Sequence, residues 1–194
     1  MKHSKESILS AYKKIKTLLF EAKDFTPERK EGLKKLFQYL EEETDWLKAP
    51  CSTRYHCSYE GGLLEHSVNV ASVARKLHRV LMPEYSEASV IMVAILHDCG
   101  KYCQYHQKEP TPAQKQWGYP GSYVTRTDIP YMGHEDRSAW IVSKFVDLTE
   151  EEFSAIVLHN EPWLTNTCQF QHCPLSTLLQ TADYWCCMYV EDRN

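Results

Sequence analysis

No apolar run in this 194-residue chain approaches the ~20 residues that a membrane-spanning helix requires. The opening MKHSKESILSAYKK has neither the apolar centre nor the small-residue cleavage pattern of a secretory leader, so a cytoplasmic protein with no membrane partner is expected. Internal repeats and low-complexity tracts are missing, and with 43% hydrophobic and 25% charged residues disorder is not the expectation. An excess of positive charge is missing too. The formal net charge of -4 argues against a broad footprint for duplex nucleic acid, while leaving room for a small anion held by a few local cations. The eight cysteines contain no CxxC pair. Cys168, His172 and Cys173 have the makings of half a zinc site, but no second half follows. A chain this long needs no disulfide framework, so buried, reduced thiols are expected.

What is present reads as helices separated by polar or proline-bearing breaks. Ile8, Tyr12, Ile15, Leu19 and Phe20 recur at helical spacing over 4–23. Thr26-Pro27 has the cap-then-proline form of a second helix start, with Leu33, Leu36, Phe37 and Leu40 on its apolar line. Further helices are predicted over 62–81, 86–98 (with Gly100 suited to its end), 134–146, 150–159 and 174–190. Thr149 and Glu152 form a capping box at the start of the helix over 150–159. Residues 101–133 carry four prolines and read as an irregular insertion, in which SYVTRTD suits one strand of a small β-hairpin. The fold class predicted is all-α, as a single domain.

Polar residues fall where apolar ones belong. His66 lies on the Leu63, Val70, Ala74 stripe; His97 and Asp98 end the line Glu87, Val90/Ile91, Ala94. His134 precedes Ser138, Ile141 and Phe145, His159 follows Ile156, and Asp183 lies beside Leu179 and Ala182. One inward histidine is usually a hydrogen-bonded core residue. Two inward aspartates are harder to place, because a buried carboxylate needs a partner or a metal. Imidazole and carboxylate together suit borderline first-row cations. Adjacent residues diverge by ~100° in mid-helix, so His97 and Asp98 can reach a common centre only at a helix end. There, the two oxygens of Asp98 offer a bridge between two ions.

GGLLEHS, HDCGK, GHED, LHN and LLQTADYW, in that order, resemble the HD-domain metal-dependent phosphohydrolase superfamily, a helical-bundle fold. The resemblance covers about 50–190, leaving 1–49 as an N-terminal helical segment. The stretch from His56 to His66 is similar to the HD module of bacterial 3′→5′ exoribonucleases, and the insertion to small stand-alone HD hydrolases of bacteria and phages. The resemblance implies one divalent metal held by His66, His97, Asp98 and Asp183. A second would be held by Asp98, His134 and His159, both drawn from Mn, Fe, Ni, Zn or Co. A hydroxide bridging them would attack phosphorus. Lys101 would contact the substrate phosphate or the bridging carboxylate. Many relatives carry histidine where this chain has Asn160.

The expected substrate is a small phosphorylated molecule, a nucleotide or short oligonucleotide. Arg54, His56 and Arg126 are candidate phosphate contacts, and Trp163, with Trp117, Tyr119, Tyr123 and Tyr131 of the insertion, either offers a base-stacking surface or packs the insertion onto the helices. Gly61-Gly62 either exposes N–H groups to an anion or allows close packing. Two other readings stay open: a non-catalytic HD module binding a nucleotide or partner around a structural metal, and an oxygen-dependent di-iron enzyme of the same fold.

Overall fold

The computed structural model describes residues 4–117, 122–161 and 173–191. Among them the fold is all-α with one two-stranded hairpin. Helix α1 (Lys5–Phe20) starts on Ser4 and α2 (Pro27–Glu42) on Thr26, each side chain accepting an N–H from its helix's first turn. Helices α3 (Gly62–Leu81) and α4 (Glu87–Leu96) form the centre. A tight turn (Cys99–Cys103) leads into strand β1 (Tyr105–Lys108), helix α5 (Pro112–Gln116) and strand β2 (Ser122–Thr125). Helices α6 (His134–Ser143), α7 (Glu150–Leu158) and α8 (Pro174–Trp185) follow, and a π-helical turn (Cys186–Val190) ends the described chain. The capping box at Thr149 and Glu152 is formed as the sequence predicts.

The core is built around α3 and α4, against which α1, α7 and α8 pack. Here the sequence reading needs correction. Residues 90–96 are buried on every side, not along a stripe, as befits a helix at the centre of a bundle. Glu87 leaves the line altogether, because its carboxylate meets Arg75 and Arg79 at 2.9 and 3.1 Å near the surface. Gly100 does not close a helix in a left-handed conformation; it lies inside the 99–103 turn. A Cβ there would stand 2.7 Å from the Ser138 backbone nitrogen, so glycine lets α6 approach the turn.

The insertion is more regular than expected. SYVT pairs antiparallel with Tyr105–Lys108, and the intervening α5 starts on a capping box of Thr111 and Gln114. Trp117 and Tyr131 are 88% and 98% exposed, so neither packs the insertion onto the helices, whereas Tyr123 on β2 is half-buried. The described cysteines are thiols, several of them buried. Cys173 caps α8, whereas Cys168 and His172 lie outside the described residues. No helix among the described residues is long and apolar enough to cross a membrane.

Candidate metal centre

Helix α4 is too apolar to leave its last turn unsatisfied, and its end explains the histidine there. His97, the residue after Leu96, donates its Nδ1–H to the Ala94 carbonyl at 2.8 Å, satisfying one of the carbonyls a helix end leaves without a partner. His159 does the same at the end of α7, donating Nδ1–H to the Ile156 carbonyl at 2.7 Å. A carbonyl can only accept, so each Nδ1 carries a proton, and each Nε2 is the ring atom left to face the centre. His66 uses another partner. Its Nδ1 donates to Glu191 at 3.0 Å, and Asn69 Nδ2 also donates to that carboxylate at 3.2 Å.

These rings converge on Asp98. Its Oδ2 lies 3.4 Å from Nε2 of both His66 and His97, while its Oδ1 lies 3.4 Å from His159 Nε2 and 3.5 Å from His134 Nε2. Asp183 Oδ1 completes the first group, 3.1 Å from His66 Nε2 and 4.0 Å from His97 Nε2. Nε2 of His66 and Nε2 of His97 are 3.2 Å apart. Two nitrogens held ~2.1 Å from one ion at near-tetrahedral or right angles lie ~3.0–3.4 Å apart. His97, with Asp98 and His159, and His66, with His97 and Asp183, are each compact enough to hold a cation. Asp98 Oδ1 is buried with no hydrogen-bond partner, a costly state for a carboxylate oxygen that a bound cation would relieve. The residues therefore fit a divalent metal.

Charge is arranged to keep Asp98 ionised. Burial would raise its carboxyl, but the Lys101 ammonium at 2.6 Å from Oδ2 holds it well below the usual carboxylate range. Asp183 is likewise kept low, against burial, by the His66 imidazole. Burial pushes His134 down to about 4, so its ring is neutral at pH 7 and free to ligate. Ser138 Oγ ties α6 in place by donating to the His134 carbonyl at 2.7 Å and accepting the Gly100 N–H at 2.9 Å. Asn160 donates to Glu135 Oε1 at 3.0 Å, and that oxygen faces His134 Nε2 at 3.2 Å.

The structure thus brings together His66, His97, Asp98, Lys101, His134, His159 and Asp183. His56 stands beside them, its ring 4.9 Å from that of His66. Arg54 does not converge: it is exposed and lies over the Tyr55 ring. Arg126 borders a neighbouring cleft of about 630 Å³ but is paired twice with Asp128, at 3.0 and 2.7 Å, which removes its appeal as a free phosphate contact. Trp163 and Tyr119 lie outside the described residues. Gly61 and Gly62 do not present N–H groups to an anion; those groups donate to the Lys48 and Tyr59 carbonyls. Sequence reasoning misses Glu191, Cys51, Cys187 and Glu135. The one cue to Glu191 is a carboxylate ending an apolar stretch, as at Asp98.

Glu191 fixes the ring orientation and raises the basicity of His66. Glu191→Ala is expected to weaken divalent-metal binding by about 10–100-fold with the fold intact, as measured by calorimetric titration of chelator-stripped protein.

A family model of the HD domain matches residues 63–185. Over 66 residues the chain is 39% identical to a dihydroneopterin 2′,3′-cyclic phosphate phosphodiesterase of Methanocaldococcus jannaschii, covering 32% of this chain and 26% of that protein. The chain thus spans about a quarter of that relative's length. No solved structure matches it. With His66, His97, Asp98, His134, His159 and Asp183 gathered at one centre and the family match running across all of them, the chain belongs to the HD-domain superfamily of metal-dependent phosphohydrolases.

Proposed function

We propose that this protein hydrolyses a phosphoester of a small phosphorylated molecule, a nucleotide or short oligonucleotide. In this reading His66, His97, Asp98 and Asp183 hold one divalent cation, and Asp98, His134 and His159 hold a second. The observation that carries it is the division of the Asp98 carboxylate. Each oxygen faces its own pair of imidazole nitrogens, and the one without Lys101 lacks any hydrogen bond. Bound divalent ions supply a water that ionises near neutral pH and neutralise charge on the phosphoryl oxygens.

The chain's own residues do the rest. His97 and His159 present fixed lone pairs because their Nδ1 protons are committed to backbone carbonyls. Lys101 neutralises Asp98 and orients its Oδ2, a positioning role. The apolar α4 behind the cluster closes it to bulk water, while His134 and Asp183, each part-exposed, mark the open side. Residues 50–190 form the catalytic core, and α1 and α2 brace it. The relative named for a cyclic phosphate makes a 2′,3′-cyclic phosphodiester the first substrate to try.

Elemental analysis of protein purified without chelator or affinity metal tests the reading. About two ions of Mn, Fe, Co, Ni or Zn per chain, with turnover of a phosphoester under that metal, is the expected result. Protein that holds no ion, and takes up none from Mn²⁺ or Fe²⁺, would sink it.

A further inference from the structure

A second group of donors lies behind His66, outside the ligand set above. His56 Nε2 sits 3.5 Å from Cys187 Sγ and 3.4 Å from Cys51 Sγ, so two sulfurs converge on one ring nitrogen. A neutral imidazole nitrogen offers them one lone pair or one proton. Glu191 closes the group: His56, His66, Cys187 and Glu191 offer ligand atoms that all lie within 4.8 Å of one another. Glu191 already receives the His66 Nδ1–H, yet an ionised carboxylate has about four acceptor positions and can serve a second partner.

We propose that His56, Cys187 and Glu191, with Cys51 beside them, form a separate site for a thiophilic divalent cation, Zn²⁺ or Cd²⁺. In a tetrahedral site with nitrogen at ~2.0–2.1 Å and sulfur at ~2.3 Å, the two donors lie ~3.6 Å apart. The two N···S separations here are 3.4 and 3.5 Å. Thiolate donors select softer ions than the carboxylate and imidazole set of the neighbouring centre. Two parts of the chain supply the donors: the loop before α3 brings His56 and Cys51, and the π-helical turn brings Cys187 with Glu191 at its end. Binding breaks the Cys187 S–H bond and forms an S–metal bond, the proton leaving to water with no change of oxidation state. The Cys187 thiol now donates to Asp183 Oδ1 at 3.4 Å, and Glu191 orients His66. Occupancy therefore touches two of the four ligands of the first metal group, Asp183 and His66, and excess Zn²⁺ is expected to inhibit.

The test uses full-length, Mn²⁺-loaded protein titrated with Cd²⁺ and followed by the ultraviolet thiolate-to-cadmium charge-transfer band, with bound Cd²⁺ counted after gel filtration. The expected result is one tight Cd²⁺ per chain with that band. It should be lost in Cys187→Ser and in His56→Ala, and kept in Cys103→Ser and Cys173→Ser. Retention of the band in Asp98→Asn separates this site from the centre of the proposed hydrolase. Absence of the band in the native chain, its persistence in Cys187→Ser, or its loss in Asp98→Asn would overturn the proposal. Should Cys187→Ser fail to fold by circular dichroism, His56→Ala, altered at a half-buried loop residue, decides the matter alone.

Discussion

Asp98→Ala is expected to lower phosphoester turnover by at least about 10³-fold, since the several kcal/mol of charge stabilisation a metal site supplies correspond to a tenfold rate change per ~1.4 kcal/mol. Its carboxylate is divided between both halves of the centre: its two oxygens face His66 and His97 on one side, His134 and His159 on the other. The same change also strands Lys101, a buried ammonium 2.6 Å from the carboxylate it neutralises. Removing one member of a buried pair costs about 3–5 kcal/mol, so Asp98→Ala is expected to melt earlier as well. The double variant Asp98→Ala/Lys101→Met removes both charges and should recover most of that stability while staying inactive. Steady-state rates set beside thermal melts of both variants separate the two effects. Full activity in folded Asp98→Ala would end the metal-centre reading.

Gly62→Ala should be among the most damaging small substitutions outside the ligand set. A Cβ at Gly62 would overlap the Cys57 carbonyl oxygen and stand 2.8 Å from its carbon. Neither side can yield easily. Gly62 opens α3 four residues before His66, and Cys57 is already held at φ 47, a left-handed conformation unusual for a side chain other than glycine. Backbone overlap of this kind costs at least about 3 kcal/mol, placing it at the upper end of overpacking penalties. For a chain of this size the melting temperature should fall by roughly 6–12 °C. Metal affinity should fall with it, because the displaced loop carries His56 and Cys51 against His66. An unchanged melting temperature in Gly62→Ala would show that the loop can shift without cost.

Much of this was legible before folding. Helix starts are local events, and Ser, Thr or proline at the right position announced α2 and α7 correctly. The inward histidines and aspartates were visible because they interrupt apolar stripes, and the structure gathers them around Asp98. Part of what escaped depends on distance along the chain. Glu191 reaches His66 across 125 residues, and no periodicity encodes that pairing. The all-round burial of α4 was open to the sequence, since residues 90–96 are an unbroken apolar run, but a stripe was sought where the whole circumference is apolar. Arg126 was named as a phosphate contact although Asp128, two residues on in the segment read as a strand, falls on the same face by the period of two, so that pairing was open to the sequence and went unused.

The caps made by His97 and His159 carry an evolutionary consequence. Each imidazole is keyed to a carbonyl three residues back, at the last turn of its own helix. Adding or deleting one residue in α4 or α7 would swing the ring by ~100° and break the key. Length changes in this lineage should therefore be purged from those two helices and accumulate between Gln104 and Gly133, where no proposed ligand lies. Homologues would then differ in what they recognise by lengthening one loop, while the spacing of their helix ends stays frozen.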